Sequence, residues 1–186
     1  VLLLGVMAAA LTLAALRRRW PEALGSAALT ASPLVIGIGL FVVVNPLVAP
    51  ETLALPVTAV VNAAMALPFA LRALIPAARR AEAEFARLSE SLGLSAWGHL
   101  RLVLWPRLRR PAGFALGLGA ALSLGDLGVI VLFAQTGSET LPMQMHALMG
   151  AFRMADAAGV AVLLMALALG AFAGLERLIG GRDAGT

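Results

Sequence analysis

Apolar residues fall along this chain in long blocks, not at every second or every third to fourth position. A membrane-crossing helix needs about 20 apolar residues, with a range near 17–25. Five blocks approach or reach that length: 1–16, 27–44, 53–75, 113–134 and 157–175. They are rich in Ala and Leu and lack two-residue alternation, which predicts helices and not strands. The first block is short and has no basic leader, so it is expected to enter partway through a membrane helix of a longer polypeptide. Pro56 and Pro68 stand inside the third block and are expected to bend or interrupt it, either for packing or for gating.

The pattern changes between residues 76 and 111. Ala78, Ala81, Phe85, Leu88 and Leu92 step by three and four, which places them on one helical face. Pro76 suits the first turn of such a helix, and Gly93 suits the residue just past its end. A second helix is predicted with Ser95 as N-cap, carrying Trp97, Leu100, Val103 and Leu104 and ending near Pro106. Pro111 then opens the fourth block. A further amphipathic helix is predicted over 141–153.

Composition fixes the solvent. Of 186 residues 61% are apolar and 13% charged, with a mean hydropathy of +0.94. A soluble domain is about 45–50% apolar and about 25% charged. The expected fold class is therefore all-α: a single polytopic membrane helix bundle, seated in the lipid bilayer, with a built loop at 76–111.

Charge then sets the orientation. The net charge is +4 and the pI about 11.4, values that on a soluble fold would point to nucleic acid. Here every one of the 14 basic residues is arginine, and alternating spans place 13 of them on one side. Basic loops face the cytoplasm, so the pI is topological and no nucleic-acid partner is expected. The loop at 76–111 and the C-terminus become cytoplasmic. Lysine is absent, which excludes a P-loop and Schiff-base chemistry. Cysteine is absent too, which excludes disulfides and thiolate sites.

The residues alone leave the 76–111 hairpin open between two roles. It could lie on the lipid surface, or it could dock into a groove on a cytoplasmic partner. A resemblance favours the second. Ser91-Leu92-Gly93-Leu94-Ser95-Ala96-Trp97 and Val103-Leu104-Trp105-Pro106 resemble the EAA loop of ABC importer permeases, with Gly93 as the loop glycine and Val103, Trp105 and Pro106 in its Ile-x-Leu-Pro. Arg87-Leu88-Ser89 stand where the family has Glu-Ala-Ala. Over most of the chain from about residue 20, the segments around Asn62–Arg72, Leu122–Val129, Leu141-Pro142, Leu148–Gly150 and Glu176–Leu178 are similar to the thiamine (thiamine pyrophosphate) branch of that family. Related permeases for ferric iron, polyamines or sulfate are similar in build. The resemblance implies a transport subunit, not an enzyme, of the bacterial inner membrane. Its partners would be a cytoplasmic ABC ATPase dimer, a periplasmic substrate-binding protein and a further permease half. No cofactor is expected on this chain, because ATP and Mg would sit on the ATPase.

The resemblance also assigns candidate sites. Phe85, Leu88, Leu92, Gly93, Leu94, Trp97 and Pro106 would contact the ATPase, with Gly93 setting an elbow. Asn62, Pro68 and Asp126 would border the substrate pathway. Asp126 is the acid inside a predicted span, chemically apt for a cation such as a thiazolium; alternatively it binds backbone amides near Gly125 and Gly128, or pairs with an arginine. Glu139, Gln144 and Arg153 would face the binding protein. Met143, Met145, His146 and Met149 read as an apolar Met-rich face more readily than as a copper site, so no metal site is expected. A membrane enzyme would need a nucleophile–base pair or clustered acids at membrane depth, and the blocks hold neither. A secondary transporter would not need the long cytoplasmic helix pair.

Overall fold

The computed structural model describes residues 1–17, 32–44, 50–128 and 140–181. All regular structure among them is helical: α1 (Leu2–Arg17), α2 (Pro33–Val44), α3 (Pro50–Ser91), α4 (Ala96–His99), α5 (Trp105–Leu124), α6 (Leu141–Gly150) and α7 (Met154–Gly180). A π-helical turn, Leu100–Leu104, joins α4 to α5 without a break.

The axis of the bundle is α3, 42 residues long, or roughly 63 Å at the α-helical rise. It packs against α1, α2 and α5, and α5 in turn packs against α7. The main core lies where α1, α3 and α5 meet. Leu4, Ala8 and Ala15 come from α1, and Leu108, Ala112 and Ala115 from α5. From α3 come Ala63, Ala66, Leu67, Ala70, Leu71, Leu74, Ile75, Ala78 and Ala81. Their three-and-four spacing forms one unbroken stripe, and the many alanines let the helix axes come close. A smaller cluster around Val61 holds Ile36, Leu40 and Phe41 of α2 against α3.

That stripe corrects the sequence reading at Pro76. The third block and the first loop helix form one helix, because Leu74, Ile75, Ala78 and Ala81 stay in phase across the proline and share one core. Pro56 and Pro68 also lie inside α3 without interrupting it, and the Pro68 side chain is fully buried.

The second loop helix does not end near Pro106. It continues through Pro111 to Leu124. Pro106 has no N–H for the carbonyl four residues back, and its ring crowds that carbonyl. The turn before it is widened: the Trp105 N–H reaches the Leu100 carbonyl, five residues back. A π turn of this kind absorbs the proline and keeps the helix running.

The fourth block is not one helix from 113 to 134. α5 stops at Leu124 with Gly125 as its C-cap, and a turn through Asp126 and Gly128 follows. Gly125 has low helix propensity, and Asp126 offers a short local acceptor that takes the Gly128 N–H at 3.0 Å; together they end the helix here. The other predicted helices are present with shifted ends: α6 stops at Gly150, and α7 extends the fifth block at both ends.

Pro56–Ser91 and Met154–Gly180 are long and apolar enough to cross a membrane. Leu2–Thr12 and Leu34–Val43 are apolar but shorter. The most apolar stretch of α7 has none of its residues buried within this chain; Val162, Met165 and Leu169 are more than half exposed. Such a surface suits lipid or further protein, not water.

Candidate functional site

Two places on the α3 rod collect the residues that matter. One is the elbow at its C-terminal end, and the other is a polar seam around Asn62. They lie 29 residues apart along one helix, roughly 44 Å, about the thickness of a bilayer with its headgroups.

The elbow is built by capping. Gly93 has φ +63°, the Leu94 N–H reaches the Ser89 carbonyl at 3.0 Å, and the Gly93 N–H reaches the Glu90 carbonyl at 3.0 Å. This pair of bonds is a Schellman motif, which satisfies the last carbonyls of α3 and turns the chain sharply. Two residues later the Ser95 hydroxyl accepts from the Gly98 N–H at 3.1 Å and caps α4. Leu92, Leu88 and Trp97 ring this turn and are 65%, 53% and 69% exposed. Leu94 is half-buried, with its side chain beside Gly98. Pro106 is exposed on the outer side of the continuous helix.

Phe85 is less open than its place on the helical face suggested. The Arg107 guanidinium lies 3.7 Å from its ring centroid, a cation–π contact, while Arg107 also donates to the Val103 carbonyl at 2.9 Å. Sequence reasoning missed a neighbouring cluster altogether. The His99 Nδ1 lies 2.8 Å from the Ser89 Oγ, and its Nε2 lies 2.8 Å from the Glu82 Oε2. A signal was present: Glu82 and Ser89 are seven residues apart, two helical turns, and so share a face. Beside the elbow an apolar groove of about 580 Å³ runs between α1 and α4–α5, with Trp97, Arg101 and Trp105 among its lining. Arg79 closes the end of α1 by donating to the Ala15 carbonyl at 3.1 Å.

At the polar seam, the Asn62 Nδ2 donates to the Ser123 Oγ at 3.1 Å and ties α3 to α5. Thr58, one turn before Asn62 on α3, is buried and its hydroxyl has no hydrogen-bond partner among the described residues. Asp126 stands past the end of α5. Its Oδ1 accepts the Gly128 N–H at 3.0 Å, whereas its Oδ2 is buried with no hydrogen-bond partner among the described residues. Pro68 is away from any opening, enclosed by the bundle. On α6, Gln144 is exposed; Arg153 pairs with Asp156 at 2.7 Å at the start of α7. Glu139 lies outside the described residues.

α3 is thus a long, largely apolar helix that ends in a capped turn ringed by the exposed Leu88, Leu92 and Trp97. Over most of its length the chain is homologous to transport-system permeases. It is 44% identical over 137 residues to the thiamine transport system permease protein ThiP of Brucella abortus, a match covering 74% of this chain and 25% of that protein. To the ThiP of Escherichia coli K12 it is 34% identical over 152 residues, 79% of this chain and 27% of that protein. To the putative 2-aminoethylphosphonate transport system permease protein PhnV of Salmonella paratyphi A it is 35% identical over 99 residues, 53% of this chain and 37% of that protein. The chain thus spans about a quarter of the length of the thiamine permeases it matches. No family model matches the chain, and no solved structure does.

Proposed function

We propose that this chain forms part of the substrate pathway of an ATP-driven thiamine or thiamine pyrophosphate importer and couples that pathway to a separate ATPase. The observation that carries the coupling role is the elbow. Leu88, Leu92 and Trp97 expose large apolar surface around a turn whose backbone is already fixed by the Gly93 and Ser95 caps. A pre-ordered apolar projection loses little entropy when it enters a groove. Its partner in this reading is the cytoplasmic ABC ATPase dimer, where ATP and Mg bind. Movement of the dimer shifts the elbow and, through α3, the far side of the bundle.

The orientation that fits is elbow and C-terminus in the cytoplasm, because the arginines cluster at that end. α6 with Gln144 and Arg153 then faces a periplasmic binding protein. Asn62 and Asp126 lie toward the pathway. The buried Oδ2 of Asp126, with no hydrogen-bond partner among the described residues, suits a cationic or hydrogen-bond-donating substrate group passing it. Pro68 acts in packing.

The test is Gly93→Glu in the full-length permease with its ATPase and binding protein. Both transport and substrate-stimulated ATP hydrolysis should collapse; normal values for both would refute the coupling role. Competition between labelled thiamine and 2-aminoethylphosphonate in the wild-type importer settles the substrate.

A further inference from the structure

We infer that His99 is a positioning residue that latches the elbow, so that α4 and the end of α3 move as one body. The inference rests on the coupling role proposed above. By itself the turn is a weak point. Only Leu92 to Ser95 separate α3 from α4, and Gly93 is held at positive φ with nothing within 4 Å of where a Cβ would sit. Glycine carries more backbone freedom than any other residue. A force applied to α4 would bend the chain there before it moved α3.

His99 spans this weak point. It is the last residue of α4, and it reaches back 10 residues to Ser89 and 17 to Glu82, both on α3. The hydrogen-bond directions follow from Glu82. Its carboxylate can only accept, so Nε2–H of His99 donates to it. The neutral ring's Nδ1 then accepts from the Ser89 hydroxyl, whose oxygen also lies 2.9 Å from the Phe85 carbonyl. Ser89 is 6% exposed and the His99 side chain 16%, so water competes weakly for these bonds. One turn along α3 from Glu82, Phe85 carries Arg107 on its ring and ties α5, which continues from α4 through the π turn, to α3.

The latch is separate from the docking face. Leu88, Leu92 and Trp97 are exposed, while His99 and Ser89 are turned into the elbow. Loss of the latch should leave the ATPase bound and hydrolysing but transmit less of its motion.

The experiment uses the full-length permease, ATPase and binding protein in proteoliposomes, reading ATPase retention and thiamine moved per ATP hydrolysed. His99→Ala should retain the ATPase and lower thiamine per ATP about fivefold or more, the scale of coupling between residues of one hydrogen-bond network. Glu82→Ala should act in the same direction, and the double variant should be no worse than the poorer single. Glu82→Gln should recover most of the loss, because its amide oxygen still accepts from His99. Unchanged thiamine per ATP in His99→Ala, or a double variant equal to the product of the singles, overturns the latch. Should His99→Ala fail to reach the membrane, normal coupling in the half-exposed Glu82→Ala overturns it equally. Trp97→Glu separates the two ideas. If that variant binds the ATPase and transports normally, the coupling role itself fails; if it is defective while His99→Ala is silent, only the latch fails.

Discussion

At Gly93 a single backbone angle sets the shape of the elbow. A side chain there meets no neighbour, so Gly93→Ala suffers only the left-handed backbone penalty, about 1–2 kcal/mol. Thermal unfolding of the purified permease should show that modest loss, and Gly93→Asn should be milder, since Asn tolerates this region. The contrast with Gly93→Glu isolates charge from conformation. Asp126 poses a different question. Its Oδ1 supports the turn through Gly128, and Asp126→Asn keeps an oxygen for that bond. Assembly of Asp126→Asn should therefore be normal, while uptake of a cationic substrate should fall, read as initial uptake rate against membrane abundance. Normal uptake would confine Asp126 to holding the turn.

Between elements, small residues decide. On α5, a Cβ at Gly117 would sit 2.8 Å from the Phe172 carbonyl of α7, and one at Gly113 would sit 2.9 Å from the Gly180 nitrogen. The two helices touch backbone to backbone there, beside an edge-on Phe114–Phe172 pair at 5.7 Å. Gly117→Leu should separate α5 from α7 and abolish accumulation of the permease, whereas Gly170→Ala, with nothing within 4 Å, should be neutral or slightly stabilising. Immunoblots of membranes would check both. Gly113 and Gly117 stand four residues apart, a spacing that lets two helix backbones approach closely. Other element-scale features were harder to read. Apolar blocks locate helices well, because lipid demands uniform hydrophobicity, and the Gly93 and Ser95 caps are local chemistry written in single residues. The prolines misled: Pro76 and Pro106 argue for breaks when judged locally, but a core stripe in constant phase and one π turn carry the helices through them. The end of α5 at Gly125 was masked by the apolar residues beyond it. Of the Glu82–Ser89–His99 cluster, spacing along the helix reveals only that Glu82 and Ser89 share a face; that His99 joins them depends on how α4 folds back on α3.

For the molecule as a whole, charge and exposure divide the labour. Arginines gather about the elbow, and α2 and α7 turn apolar faces outward. The chain has no cysteine, so single-cysteine labelling is clean. Ser95→Cys should react with a membrane-impermeant thiol reagent from the cytoplasmic side alone, and Gln144→Cys from the periplasmic side alone. The opposite pattern would invert the topology. The unbroken length of α3 has a geometric consequence. From Asn62 to Ser91 it is a single 29-residue arm, roughly 44 Å long. A tilt of about 10° about Asn62 would displace the elbow by roughly 7–8 Å, more than one helical turn of rise. In the coupling role proposed above, a large displacement at the elbow would correspond to only a small rotation beside Asn62.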